Sequence, residues 1–134
     1  MTRIGMIRTA LALAAVLPFA GCASGEADME GVVSDFIAAV DGRDIEAVRA
    51  CLDATAADYG EGWDFWTDET RFGTATDHAI ASFEPLTDTT ARVDFSSATG
   101  GGRTFYFRMR NGGNRFYIRM IDNDPDLMSP TVFQ

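Results

Sequence analysis

Residues 103–120 read RTFYFRMRNGGNRFYIRM, and no other stretch restricts the fold so tightly. On either side of the glycines every second residue is apolar: Phe105, Phe107 and Met109, then Phe116, Ile118 and Met120. Between them lie Tyr106, Arg108, Tyr117 and Arg119. A period of two sends successive side chains to opposite faces of a sheet, so the pattern reads as two antiparallel strands with one greasy and one wet face. The joint Asn111-Gly112-Gly113-Asn114 suits a hairpin, because glycine takes positive φ without steric cost. With Gly112 and Gly113 as a two-residue loop, Met109 is predicted opposite Phe116, Phe107 opposite Ile118 and Phe105 opposite Met120. On the wet face Arg108 then meets Tyr117, and Tyr106 meets Arg119. A preceding strand over 90–97 adds Val93 and Phe95 to the greasy face and sets Asp94 against Tyr106 and Arg92 against Arg108. A slip of one residue would invert every side chain.

Upstream the period changes. Met29, Val32, Val33, Phe36, Ile37 and Val40 recur at helical spacing. Asp41-Gly42 ends that helix, with Gly42 expected in the left-handed cap. Asp44 is placed to cap a second helix, whose stripe is Ile45, Val48, Cys51 and Leu52. That stripe makes Cys51 a core residue rather than a nucleophile. A short helix or turn is expected over 54–59, and Gly60-Glu61-Gly62-Trp63-Asp64-Phe65-Trp66 reads as an irregular aromatic segment packed over the core. A further strand is expected over 77–84, a turn over 85–89 and a loop over 98–102. The fold class that follows is α+β: N-terminal helices packed on a curved antiparallel sheet of about four strands.

The first 21 residues have a different character. Arg3 and Arg8 precede an apolar run over 10–20, too short to span a bilayer core that takes roughly 20 residues. This is the pattern of an export signal. Phe19-Ala20-Gly21-Cys22 resembles the lipobox of bacterial lipoproteins, with Phe19 where leucine is usual. The other reading is an ordinary signal peptide that contains a cysteine. The resemblance implies cleavage before Cys22, acylation of that residue and a membrane anchor without a spanning helix. Ala23-Ser24 lacks the aspartate associated with inner-membrane retention, which implies the outer membrane, facing the periplasm. Residues 22–27 then form a tether, 28–127 the domain and 128–134 a C-terminal tail. Cys51 has no second free thiol for an internal disulfide once Cys22 is acylated.

Charge narrows the partners. The chain has eleven arginines, no lysine and twenty acids, for a net charge of −9. Without Arg3 and Arg8 it becomes −11. Such a domain is not expected to bind nucleic acid through its average field. Yet six of the arginines lie in 89–121, where Asp94 is the sole acid. Arg92, Tyr106, Arg108, Tyr117 and Arg119 therefore form a candidate binding surface, for an acidic partner or for a second copy of the chain. The other reading of that face is a solvated sheet surface that resists aggregation.

The string VSDFIAAVDGRDIEAVRACL, residues 33–52, resembles the opening of nuclear transport factor 2-like domains, and the sheet half resembles small lipoproteins of that superfamily. The resemblance covers about residues 28–121 and implies a cone whose helices cap the concave face of the sheet. Some members are polyketide cyclases or ketosteroid isomerases, and others only bind or dimerise. The enzymes carry aspartate, histidine or tyrosine inside the cone, whereas the greasy face here holds no titratable group. The weak catalytic candidates are Tyr59, Asp64, Asp77 and His78. His78 is the only histidine, which argues against a Ser-His-Asp triad or a histidine-rich metal site. Asp122-Asn-Asp-Pro-Asp126 lacks the glycine and distal glutamate of a calcium loop and reads as a solvated turn. Gly100-Gly101-Gly102 has no lysine or helix after it, as a phosphate loop would. No cofactor and no metal are expected. The leading expectation is a noncatalytic, membrane-anchored envelope domain whose cone is filled by Trp63, Phe65, Trp66 and Phe72. The alternatives are a small isomerase or hydrolase using Asp64 and His78, and a carrier of an apolar ligand.

Overall fold

Asp28 opens the first helix: its side chain accepts from the Glu30 N–H at 3.0 Å, satisfying one of the orphan donors of the first turn. The computed structural model describes residues 28–124. The export signal, Cys22, the 22–27 tether and the 128–134 tail lie outside the described residues. Helix α1 spans Met29–Asp41 and buries Val32, Val33, Phe36, Ile37 and Val40 of the expected stripe together with Ala39, while Met29 is only half-buried. Its end differs from expectation. Gly42 keeps φ −81°, and the left-handed residue is Arg43 at φ 55°. The Arg43 guanidinium donates back to Val40 O at 2.7 Å and across to Thr74 O at 2.8 Å, which offsets the cost of that backbone. Helix α2, Ile45–Cys51, is capped by Asp44 through the Ala47 N–H, as expected, and buries Val48 and Cys51. Residues 54–60 form turns, and the aromatic segment contains a single helical turn, α3, Trp63–Trp66.

Four strands follow: β1 Ala79–Pro85, β2 Thr90–Ser96, β3 Arg103–Asn111 and β4 Phe116–Asp122. They form one antiparallel sheet in sequence order, so every connection is a local hairpin. α1 crosses the inner face and touches both edge strands, β1 and β4. The fold is α+β, three helices against a four-stranded antiparallel sheet.

The greasy face is inward, but the register is not the predicted one. Gly112 N–H donates to Arg115 O at 2.8 Å, so the turn centres on Gly113 and Asn114 instead of Gly112 and Gly113. Gly113 takes φ 97°, as the first central residue of a type II′ turn must. Gly112 is needed for a different reason: a Cβ there would stand 2.7 Å from the Tyr117 ring. Moving a turn by one residue moves the pairing by two, which preserves which face each side chain occupies. Met109 therefore pairs with Ile118 and Arg110 with Tyr117. A bulge at Arg119 then shifts the register again: Arg108 pairs with Met120, Phe107 with Ile121 and Tyr106 with Asp122. Beyond the bulge the faces exchange. Ile121 joins the core, and Met120, expected there, sits half-exposed on the outer face. Between β2 and β3 the pairing is also offset by two, with Arg92 against Tyr106 and Asp94 against Thr104. A second bulge, at Ala81, interrupts β1. The chain after α2 runs along the outer edge of β4, where Leu52 bridges Ile118 in parallel and Asp53 N–H donates to Ile118 O at 2.8 Å.

Between helices and sheet the space is filled by rings. Phe36 meets Trp66, Phe72 and Phe107 edge-on at 5.5, 5.5 and 6.1 Å, and Phe72 stacks on Phe105 at 4.6 Å. Trp66 and Phe72 are 1% and 0% exposed, whereas Trp63 and Phe65 pack half-buried at the rim. Each buried ring contributes on the order of 1.5–3 kcal/mol, plus a smaller edge-to-face gain.

Candidate functional site

The outer sheet face reads in rows across the strands. Glu84, Arg92, Tyr106 and Asp122 are successive partners, as are Ser82, Asp94 and Thr104, and Thr90, Arg108 and Met120. The candidate surface residues Arg92, Tyr106, Arg108 and Tyr117 thus share one face, and the bulge turns Arg119 fully outward. The face is less purely basic than its own strands suggest. Arg92 lies 3.3 Å from Asp94 and 3.7 Å from Glu84. Arg110 and Arg115 stand 4.6 and 5.1 Å above the Tyr117 ring, within cation–π range. Burial, then the nearby Arg119, push the Arg108 guanidinium somewhat down in pKa. Arg119 makes no ion pair among the described residues.

Arg110 also reaches around the β4 edge to Asp53, Nε to Oδ2 at 2.5 Å. Asp53 is 5% exposed and accepts from the Thr55 hydroxyl at 2.6 Å and N–H at 2.9 Å. Those Thr55 bonds, then Arg110, hold its carboxyl well below the usual carboxylate range. Asp77 accepts from Ser97 and Thr99 hydroxyls and the Ala98 N–H, closing the 97–102 loop, and Asp94 accepts from Ser82 and Thr104; both carboxyls are lowered, chiefly by the serine in each case. Depressed carboxyl pKa values contribute stability above the unfolded value of about 3.9, which is lost as pH falls through the folded values. The urea midpoint is therefore expected to hold from pH 7 to pH 5 and drop below about pH 4. Thr55→Val should bring the Asp53 carboxyl back toward its ordinary value and shrink that drop.

The weak catalytic candidates lie apart. Asp64 is exposed on α3, and Tyr59 is half-buried, its carbonyl accepting from Arg49 Nε at 3.2 Å. The His78 ring is wholly buried between Phe72 and Phe95, 6.0 and 6.5 Å away. Its Nδ1 donates to Asp41 Oδ1 at 2.6 Å and its N–H to Asp41 Oδ2 at 2.8 Å, which fixes the tautomer and leaves Nε2 buried without a partner. Sequence places His78 at a strand start; the clasp across 37 residues to Asp41 has no local signature. None of Tyr59, Asp64, Asp77 and His78 lines any of the five hollows described. Cys51 is buried, and burial pushes its thiol up, away from the reactive thiolate. Among the described residues no cluster of three or more His, Cys, Asp or Glu could hold a metal, and no helix is long and apolar enough to cross a membrane.

Two hollows unforeseen in the sequence adjoin at the end of β4. They share Arg71, Ile121 and Asp122, and Trp66 and Asp58 line one each. No protein family, curated protein or solved structure was found to match the chain.

Proposed function

We propose that the protein is a lipid-anchored domain of the bacterial envelope, nuclear transport factor 2-like in form, that works by binding an acidic protein segment on its outer sheet face. The observation that carries this reading is the convergence of Arg92, Tyr106, Arg108, Arg110 and Tyr117 on one face, with Arg119 thrown outward, in a chain of net charge −9. Tyrosine and arginine are the side chains that most often dominate protein contacts, since each offers large area and directed donors. The ring-filled interior supports a surface role over one inside the fold. Opposite charge across the contact would speed encounter and fix orientation. Cys22 acylation would hold the face near the membrane.

A photo-crosslinking residue at Met120, on the outer face, tests the reading in cells. We expect one acidic protein to be captured, a loss of that adduct in the Arg92→Glu/Arg119→Glu double variant, and no such adduct from the same label at Ala50, exposed on α2. Capture that ignores charge reversal would refute the surface. Cys22→Ser is expected to move the chain from the membrane to the soluble fraction; retention on the membrane would refute the anchor.

A further inference from the structure

The two adjoining hollows at the end of β4 form a cleft with unusual contents. The inner one, about 80 Å³, is floored by Trp66, Phe72 and Phe105. The outer one, about 220 Å³, is walled by Asp58, Arg71, Arg119 and Asp122. Trp66 is 1% exposed, yet its indole N–H meets no acceptor. Buried indole donors nearly always find a partner, so this one is left for an occupant. The charged walls are also unresolved. Two acids and two arginines line one small space, and no ion pair joins any of them among the described residues. Arg71 lies instead on the Phe65 ring at 3.8 Å. Burial pushes the Asp58 carboxyl up despite Arg71, and Glu61 and Asp122 add to the effect, so a cation brought in here would relieve it.

We infer that this cleft binds a small zwitterion, its ammonium group between Asp58 and Asp122 and its oxyanion toward Arg71 and the Trp66 indole N–H. A ligand of one sign would satisfy half of the walls and be repelled by the rest, whereas both charges on one short body match the alternation of groups. Free amino acids carry that chemistry, and so does the phosphoethanolamine headgroup of a lipid. The cleft borders the docking face and shares Arg119 with it, but the groups assigned to the zwitterion, Asp58, Arg71, Asp122 and Trp66, are none of those assigned to the acidic partner.

The test is an NMR titration of the full chain, reading the Trp66 indole N–H; Trp63→Phe leaves it as the single indole in a chain with two tryptophans. L-alanine and O-phosphoethanolamine are added separately, with propionate and ethylamine as single-charge counterparts. We expect a saturable shift with at least one zwitterion, and affinity about tenfold weaker for either counterpart, or in Arg71→Gln or Asp122→Asn. Alanine binding alone marks an amino-acid site, and phosphoethanolamine binding alone a headgroup site. No shift with either zwitterion at about 10 mM, or counterparts that bind as tightly as the zwitterion, would overturn the inference.

Discussion

Phe107→Ala is expected to lower the unfolding free energy by about 3–5 kcal/mol in urea titration. Phe107 is 0% exposed on an inner strand, between Ala91 of β2 and Ile121 of β4. Its ring meets Phe36 and Phe95 edge-on at 6.1 and 6.2 Å. Hydrogen-bonded ladders on both sides prevent the backbone from closing over the cavity, so the cost belongs near the top of the range for such truncations. Met120→Ala supplies the contrast. The bulge at Arg119 places Met120 half-exposed, and its truncation is expected to cost less than about 1 kcal/mol. Equal losses from the two variants would mean that β4 pairs as its alternation alone suggests and that the bulge is absent.

Asp41→Ala should be nearly as damaging, at about 2–4 kcal/mol, because it strands two buried donors of His78 at once. Asp41 accepts both the His78 N–H and Nδ1–H, tying the end of α1 to the entry of β1. The ring is flanked by Phe72 and Phe95, which offer no acceptor oxygen. Asp41→Asn keeps one acceptor oxygen and is expected to cost roughly half as much. Adding His78→Ala to Asp41→Ala removes the stranded ring donor, so the double variant should be more stable than the sum of the two single losses. Strict additivity in that cycle would show that the clasp is not coupled.

Both predictions rest on features that the sequence revealed unequally. The stripes of α1 and α2 and the inward faces of β2 and β3 were legible, because periods of 3.6 and 2 are local and each position carries its own side chain. Face assignment even survived an error in the turn, since a displaced turn moves the register by an even number. Position along the sheet was not legible. It depends on the Tyr117 ring over Gly112 and on a bulge that turns Met120 out, both set by tertiary packing. Pairs such as Asp41 with His78 and Asp53 with Arg110 are separated by 37 and 57 residues and leave no spacing to read. The same holds for Asp58 and Asp122: each looks like an ordinary turn acid until the fold brings both to one cleft.

The two bulges sit on the two outermost strands, Ala81 in β1 and Arg119 in β4, while β2 and β3 pair with each other without interruption. An uninterrupted rim offers a straight row of donors and acceptors on which another molecule can add a strand. Here one rim is kinked and ends in Pro85, and the other is kinked and partly sealed by Leu52 and Asp53. Copies crowded side by side thus lack a template for fibril growth, and the domain tolerates high local density without polymerising through its sheet.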